Sequence, residues 1–206
     1  MKVISIIAQK GGVGKSTLTA HLSVELSNDG STVVAFDLDR QASLAKWSEQ
    51  RGERAPTVLK VPVTELDKYL KAAKDDGVDI VLIDTPPHTG AQLNRLVAVT
   101  DLSLVPLPPA FFDLASLAET RDFLKPTRNL VILNQVPATG RDEFDAREVL
   151  AREFPDLVVA QSCLKMRKAY SAALISGSSV TESERPASKA VMEVTQLVNE
   201  IKEHLG

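Results

Sequence analysis

Between residues 9 and 17 the chain reads Gln-Lys-Gly-Gly-Val-Gly-Lys-Ser-Thr, and this stretch leaves little freedom to what surrounds it. Before it runs an apolar segment, Val3-Ile4-Ser5-Ile6-Ile7-Ala8, suited to a buried strand; after it come Leu18, Leu22 and Leu26 on one helical face. Strand, glycine-rich turn and helix N-terminus in that order form a phosphate cradle. Gly11, Gly12 and Gly14 let the backbone curl so that successive N–H groups point inward at an anion. Lys15 adds a cation for terminal phosphates, and the Ser16 hydroxyl is a ligand for Mg²⁺. The stretch departs from the general pattern twice: Gln9 stands where a glycine is expected, and Lys10 is a second lysine. Two ammonium groups this close repel each other unless something strongly anionic sits between them. An ordinary glycine-rich turn is the plain alternative, and the flanking strand and helix argue against it.

The 206 residues suffice for a substantial core and predict a single domain over 1–206. Aromatics are only 4% of the chain, so that core must be built from Val, Leu, Ile and Ala, as in parallel sheets covered by helices. A net charge of −3 excludes a protein basic all over but leaves room for a local basic patch. Cys163 is the one cysteine, which rules out a disulfide framework, an iron–sulfur cluster or a cysteine zinc site within one chain; a buried, inert thiol is expected. The short N-terminal apolar run is no signal peptide, and no stretch approaches the roughly 20 apolar residues of a membrane span, so the expected location is cytoplasmic.

Apolar runs bounded by turn signals predict further strands at 32–37, 58–63, 78–84, 102–106, 130–134 and 157–160. Helical patterns fall at 42–53, 64–74, 114–124, 142–154, 166–175 and 187–205. This alternation predicts a doubly wound, mostly parallel α/β sheet with helices on both faces. Ligands in such sheets bind beyond the carboxyl ends of the strands, where Lys15, Asp39, Asp84 and Asn134 all fall.

Phosphoryl transfer requires a cradle, a metal with its ligands, and a group that orients the attacking water. Asp84, closing an apolar strand, is a Walker-B-type carboxylate, and Asp37 and Asp39 are candidates for positioning or polarising water. Any one of these aspartates could instead cap a turn or a helix; three at strand ends beside a phosphate loop point to a site. His21 on the first helix, His88 in a loop and His204 near the end read as structural or solvated.

Assembled in this way, the chain resembles the ParA/MinD family of P-loop ATPases, whose deviant Walker A motif reads Lys-Gly-Gly-x-Gly-Lys-Ser/Thr and is matched throughout by Lys10 to Ser16. Asp37-Leu38-Asp39-Arg40-Gln41 is similar to the family's Asp-x-Asp-Pro-Gln segment, and Asp84-Thr85-Pro86-Pro87 to its Walker B and the switch that follows. Arg167-Lys168-Ala169-Tyr170, with Ala173, Gly177, Val180 and Glu182, resembles the DNA-partition branch.

The resemblance implies ATP and Mg²⁺ as cofactors. It makes Gly11, Gly12, Val13, Gly14, Lys15, Ser16 and Thr17 the phosphate-binding residues, and Asn134 the reader of adenine. Lys10 becomes a signature lysine that reaches the partner subunit's phosphates in an ATP-sandwich homodimer, so that ATP is the anion between the two lysines. Asp39 orients the hydrolytic water, and Ser16, Asp39 and Asp84 are the oxygen groups around the metal. Arg40 replaces the family's proline and either alters that switch, adds charge near the phosphates or is simply solvated.

Lys165, Arg167 and Lys168, with Arg185 and Lys189 following, are candidates for salt-sensitive, non-specific DNA binding; as a bare charge run they would be a solvated face. The implied protein is a nucleoid-associated DNA-segregation ATPase, slow until stimulated by a ParB-like or small centromere-binding partner. Alternatives are a MinD-like membrane-cycling ATPase, disfavoured by the acidic, weakly apolar segment 200–206, and a positioner of another cargo. A redox or biosynthetic enzyme on the same fold is disfavoured by the single cysteine and by Lys10. The few residues before Lys10 leave no room for an operator-binding domain, so no autorepression is expected.

Overall fold

The computed structural model describes residues 1–87, 90–124 and 127–206. Strands and helices alternate as β1 (Lys2–Ile6), α1 (Lys15–Asn28), β2 (Val33–Asp37), α2 (Ser43–Arg51), β3 (Thr57–Lys60), α3 (Leu66–Asp75), β4 (Ile80–Asp84) and α4 (Gly90–Val99). They continue as β5 (Leu102–Leu107), α5 (Phe111–Leu124), β6 (Arg128–Val136), α6 (Asp142–Glu153), β7 (Val159–Lys165), α7 (Lys168–Ile175), α8 (Val180–Ser183) and α9 (Lys189–Leu205). The strands form one sheet in the order β3-β2-β4-β1-β5-β6-β7, and every pairing is parallel.

Because side chains alternate along a strand, each central strand feeds two cores. Ile4 and Ile6 of β1, Ile80 and Leu82 of β4 and Leu130 and Ile132 of β6 pack with α1, α2, α7 and α9 on one face. On the other face Val81 and Ile83 meet α3, whereas Val105, Val131 and Leu133 meet α5 and α6. The core strands therefore read as continuous apolar runs, as a sheet buried on both sides requires.

Helix α1 shows more than the single apolar face expected: Leu18, Ala20, Leu22, Val24 and Leu26 are buried, and so are Thr19, His21 and Ser23. It is a central helix, wrapped by the sheet, α2, α7 and α9. Strand β7 runs to Lys165, beyond the expected 157–160. Its backbone is held by α9, whose Glu200 carboxylate accepts from Gln161 N and Ser162 N and whose Glu193 accepts from Lys165 N. Helix α4 was not apparent from the pattern, and His88 lies outside the described residues.

Candidate functional site

The loop after β1 takes its shape from two left-handed glycines, Gly12 at φ 81° and Gly14 at φ 92°. Gly14 caps the N-terminus of α1, and a Cβ there would lie 2.6 Å from Asn134 Nδ2, so both conformation and space demand glycine. A Cβ on Gly11 or Gly12 would meet nothing within 4 Å among the described residues, which leaves that side of the loop open to a ligand. The two lysines point differently. Lys15 is buried and its Nζ donates to Lys10 O at 3.3 Å. Burial lowers its pKa, and the Asp84 and Asp39 carboxylates oppose that shift. Lys10 forms an ion pair with Asp113 Oδ1 on α5 at 2.8 Å, its side chain 45% exposed against 7% for Asp113.

The parallel register sets Asp37 beside Asp84, and Asp84 beside Ile6 at the start of the loop. Asp37 is fully buried; its Oδ1 accepts from Asp39 N and its Oδ2 from Ala45 N in the first turn of α2, at 3.0 and 2.9 Å. Of the open choices for this residue, the geometry selects the cap. Asp39 is half-buried, and its Oδ1 accepts from Gln41 N at 2.9 Å in a turn closed by Ala42 N to Asp39 O. Arg40 sits exposed on that turn, in the wall of a cleft of about 780 Å³ that also includes Asp39, Lys60 and Pro86.

Asp84 is fully buried, and among the described residues neither carboxylate oxygen has a hydrogen-bond partner of normal geometry. Burial pushes its pKa to about 7; the nearby Ser16 hydroxyl opposes the rise, and Asp37 adds to it. An orphaned buried carboxylate is expensive unless a cation completes it. The hydroxyl of Ser16 and the oxygens of Asp84 and Asp39 are hard donors of the kind Mg²⁺ takes, and the open glycine face leaves room for phosphate, so the residues present fit a magnesium nucleotide.

At the end of β6 the ladder to β7 is irregular between Leu133 and Val136, and Gln135 adopts a left-handed conformation at φ 55°. Asn134 Nδ2 donates to Val13 O at 2.7 Å and Gln135 Nε2 to Gly12 O at 2.9 Å. Both residues border a cavity of about 230 Å³ beside the loop, together with Thr17, Met166, Arg167 and Tyr170. His21 also reaches this cavity but is a core residue: its Nδ1 pairs with Ser179 Oγ at 3.0 Å, and burial pushes its pKa down to about 4.

The late basic stretch is largely compensated from within the chain. Lys165 is ion-paired to Glu143, and the Arg167 guanidinium grips Glu193, with Nε to Oε1 at 3.0 Å. Tyr170 OH donates to the same glutamate at 2.8 Å. Lys168 is exposed, as are Arg185 and Lys189, and none of the three forms an ion pair among the described residues. Cys163 is half-buried, and burial together with Glu143 pushes its thiol up to about 11, so it stays protonated and unreactive at neutral pH.

Sequence patterns did not single out Asp113 or Gln135, because each meets the loop from more than 100 residues away. A left-handed conformation at Gln135 has no reliable signal in residue type. An acid in the first turn of α5 was visible, but its lysine partner was not.

Residues 4–202 match the CobQ/CobB/MinD/ParA nucleotide binding domain. The chain is 30% identical over 187 residues to the maintenance of carboxysome distribution protein A of Gloeobacter kilaueensis, covering 88% of this chain and 84% of the relative. Among solved structures it superposes on the MinD cell division protein of Aquifex aeolicus with a TM-score of 0.79 at 17% identity, over 98% of each chain. The septum site-determining protein MinD of Pyrococcus horikoshii, complexed with Mg-ADP, gives 0.76 at 20% identity over 100% of this chain and 97% of that one.

Proposed function

The chain belongs to the CobQ/CobB/MinD/ParA nucleotide-binding family, and from that premise we propose that it is a partition-type ATPase that closes as a homodimer around ATP. The supporting observation is the divergence of its two lysines: Lys15 is buried and bonded to its own loop, whereas Lys10 is half-exposed and paired with Asp113 on α5. A lysine serving its own nucleotide has no reason to stay half-exposed. One reaching a partner subunit's phosphates does, and there the repulsion between the two ammonium groups is relieved by the anion between them.

In this reading the backbone N–H groups of Gly11 to Thr17 and the Lys15 ammonium hold the phosphates, and the cavity beside Asn134 receives the base. The Nδ2 of Asn134 already holds the loop, so its Oδ1 is the atom left for an adenine amine. Magnesium, held by Ser16 with Asp84 and Asp39 near it, would neutralise phosphate charge in ATP hydrolysis. Asp39 accepts a hydrogen bond from the attacking water and orients it on the terminal phosphorus; ADP leaves with its bond to that phosphorus broken. Closing the dimer removes Lys10 from Asp113. Breaking a pair with one buried partner costs between the roughly 1 kcal/mol of a surface pair and the roughly 3–5 kcal/mol of a buried one, which phosphate contacts must exceed.

The ATP-bound dimer binds DNA without sequence preference, sits on the nucleoid and is stimulated by a ParB-like or small centromere-binding protein. With Lys165 and Arg167 engaged by Glu143 and Glu193, Lys168 is the least encumbered of the three DNA candidates. A protein cargo carried by the same chemistry is the second reading, supported by the relative named for carboxysome distribution. Membrane cycling through α9 is disfavoured, since its apolar residues Val191, Val194, Leu197, Val198, Ile201 and Leu205 are buried in the core. Co-sedimentation with DNA and with anionic liposomes, each with ATP or ADP, tests the proposal. ATP-dependent retention on DNA, weakened in Arg167→Ala/Lys168→Ala, is expected. Equal retention by both proteins with no nucleotide effect would sink it.

A further inference from the structure

We infer that Gln135 is a positioning residue that aims the phosphate loop, acting with Asn134 as a two-pronged clamp on consecutive loop carbonyls. The inference rests on the nucleotide-binding part of the reading above and on nothing concerning DNA, dimer or partner.

A left-handed conformation costs a non-glycine residue roughly 1–2 kcal/mol, and at Gln135 it falls at a ladder irregularity at the end of a strand. Glycine or asparagine would take this conformation more easily. What glutamine gains there is reach: its amide donates to Gly12 O at 2.9 Å, while the amide of Asn134 donates to Val13 O at 2.7 Å.

Peptide planarity turns these two bonds into a statement about the ligand side. In a trans peptide the C=O and N–H point in opposite directions. Fixing Gly12 O on Gln135 therefore directs the Val13 N–H away from the clamp, and fixing Val13 O on Asn134 does the same for the Gly14 N–H. Both donors are thus held toward the open side of the loop, where an anion would be cradled. Without the clamp, a loop containing Gly11, Gly12 and Gly14 has several accessible peptide orientations, and a phosphate would have to select the productive one on binding. The close approach of Asn134 and Gln135 to Gly14, at 2.6 and 3.4 Å from a hypothetical Cβ, shows that loop and clamp are fitted to each other.

Gln135 also borders the base-sized cavity, so a direct contact to the base is the competing role. Two substitutions and two ligands separate the possibilities. Gln135→Met keeps the side-chain length and the strained backbone but removes the donor. Gln135→Gly removes the donor and relieves the strain. Equilibrium binding of Mg²⁺-ATP and of Mg²⁺-tripolyphosphate, which has no base, is measured for each variant beside thermal melting. The expected result is a loss of about five- to tenfold for both ligands in both variants, the worth of one hydrogen bond. Gln135→Gly should melt no lower than the wild type despite its weaker binding, a combination that a merely structural role does not produce. A wild-type affinity in either variant, or a loss seen with ATP but not with tripolyphosphate, overturns the inference. If the wild type itself binds neither ligand, the nucleotide reading fails instead.

Discussion

Replacing Asp84 by asparagine should flatten the dependence of folding stability on pH. The Asp84 carboxylate is buried with no hydrogen-bond partner of normal geometry among the described residues, and its pKa rises from 3.8 to about 7, chiefly through burial. The folded chain therefore keeps a proton on Asp84 through a pH range in which the unfolded chain has lost it. Stability falls with rising pH wherever the folded state binds more protons. The penalty opens as pH passes 3.8, deepens until about 7 and is level above. Between about pH 5 and pH 8 it amounts to roughly 2–3 kcal/mol. Asparagine cannot ionise, so this component disappears. Its buried, unpaired amide costs about 1–3 kcal/mol at every pH, which offsets the curve without tilting it. Asp37, also raised by burial, leaves a residual slope. Urea unfolding of nucleotide-free protein in EDTA across this pH range measures the difference directly. The wild type should lose stability steeply and Asp84→Asn much less; parallel profiles would refute the buried-carboxylate argument.

Asp39→Ala should bind ATP within a few-fold of the wild type but turn it over about 100-fold more slowly, the scale of a lost water-orienting group; single-turnover hydrolysis reads this, and unchanged turnover removes Asp39 from that role. Gly177→Ala places a Cβ within 2.5 Å of the Arg51 N and Gln50 C backbone atoms at φ 65°. It should cost about 3 kcal/mol and lower the melting temperature by roughly 6–12 °C, because backbone on both sides must move; an unchanged melting temperature would show that the α7–α8 turn yields easily.

What was legible in the sequence was what local pattern carries. Buried strands show as apolar runs, and the phosphate loop shows because its glycines and its flanking strand and helix are contiguous. Asp84 was placed correctly at a strand end because it closes an apolar run; Asn134 closes one too, but β6 carries on past it to Val136. What was hidden depends on distant partners. The later part of β7, Gln161-Ser162-Cys163, breaks the apolar run, yet it is strand because Glu200 on α9 accepts from two of its amides. The charges of Lys165 and Arg167 were plain, but Glu143 and Glu193, which engage them, are 22 and 26 residues away. Helix α4 begins at Gly90, shortly after Pro86 and Pro87, and these breakers mask the Leu93, Leu96 and Val97 spacing behind them. Asp37 matched the pattern of a catalytic aspartate, and only its two backbone partners identify it as a cap.

The central claim is that Lys10 serves a second subunit. Sedimentation velocity of the wild type and of Lys10→Ala, each with ADP and with a slowly hydrolysed ATP analogue, tests it most directly when paired with a nucleotide-binding measurement on the same samples. The wild type should double its mass with the ATP analogue alone, and Lys10→Ala should bind nucleotide yet remain a monomer. A wild type that stays monomeric when saturated with the analogue, or a Lys10→Ala protein that dimerises as readily, would contradict the account.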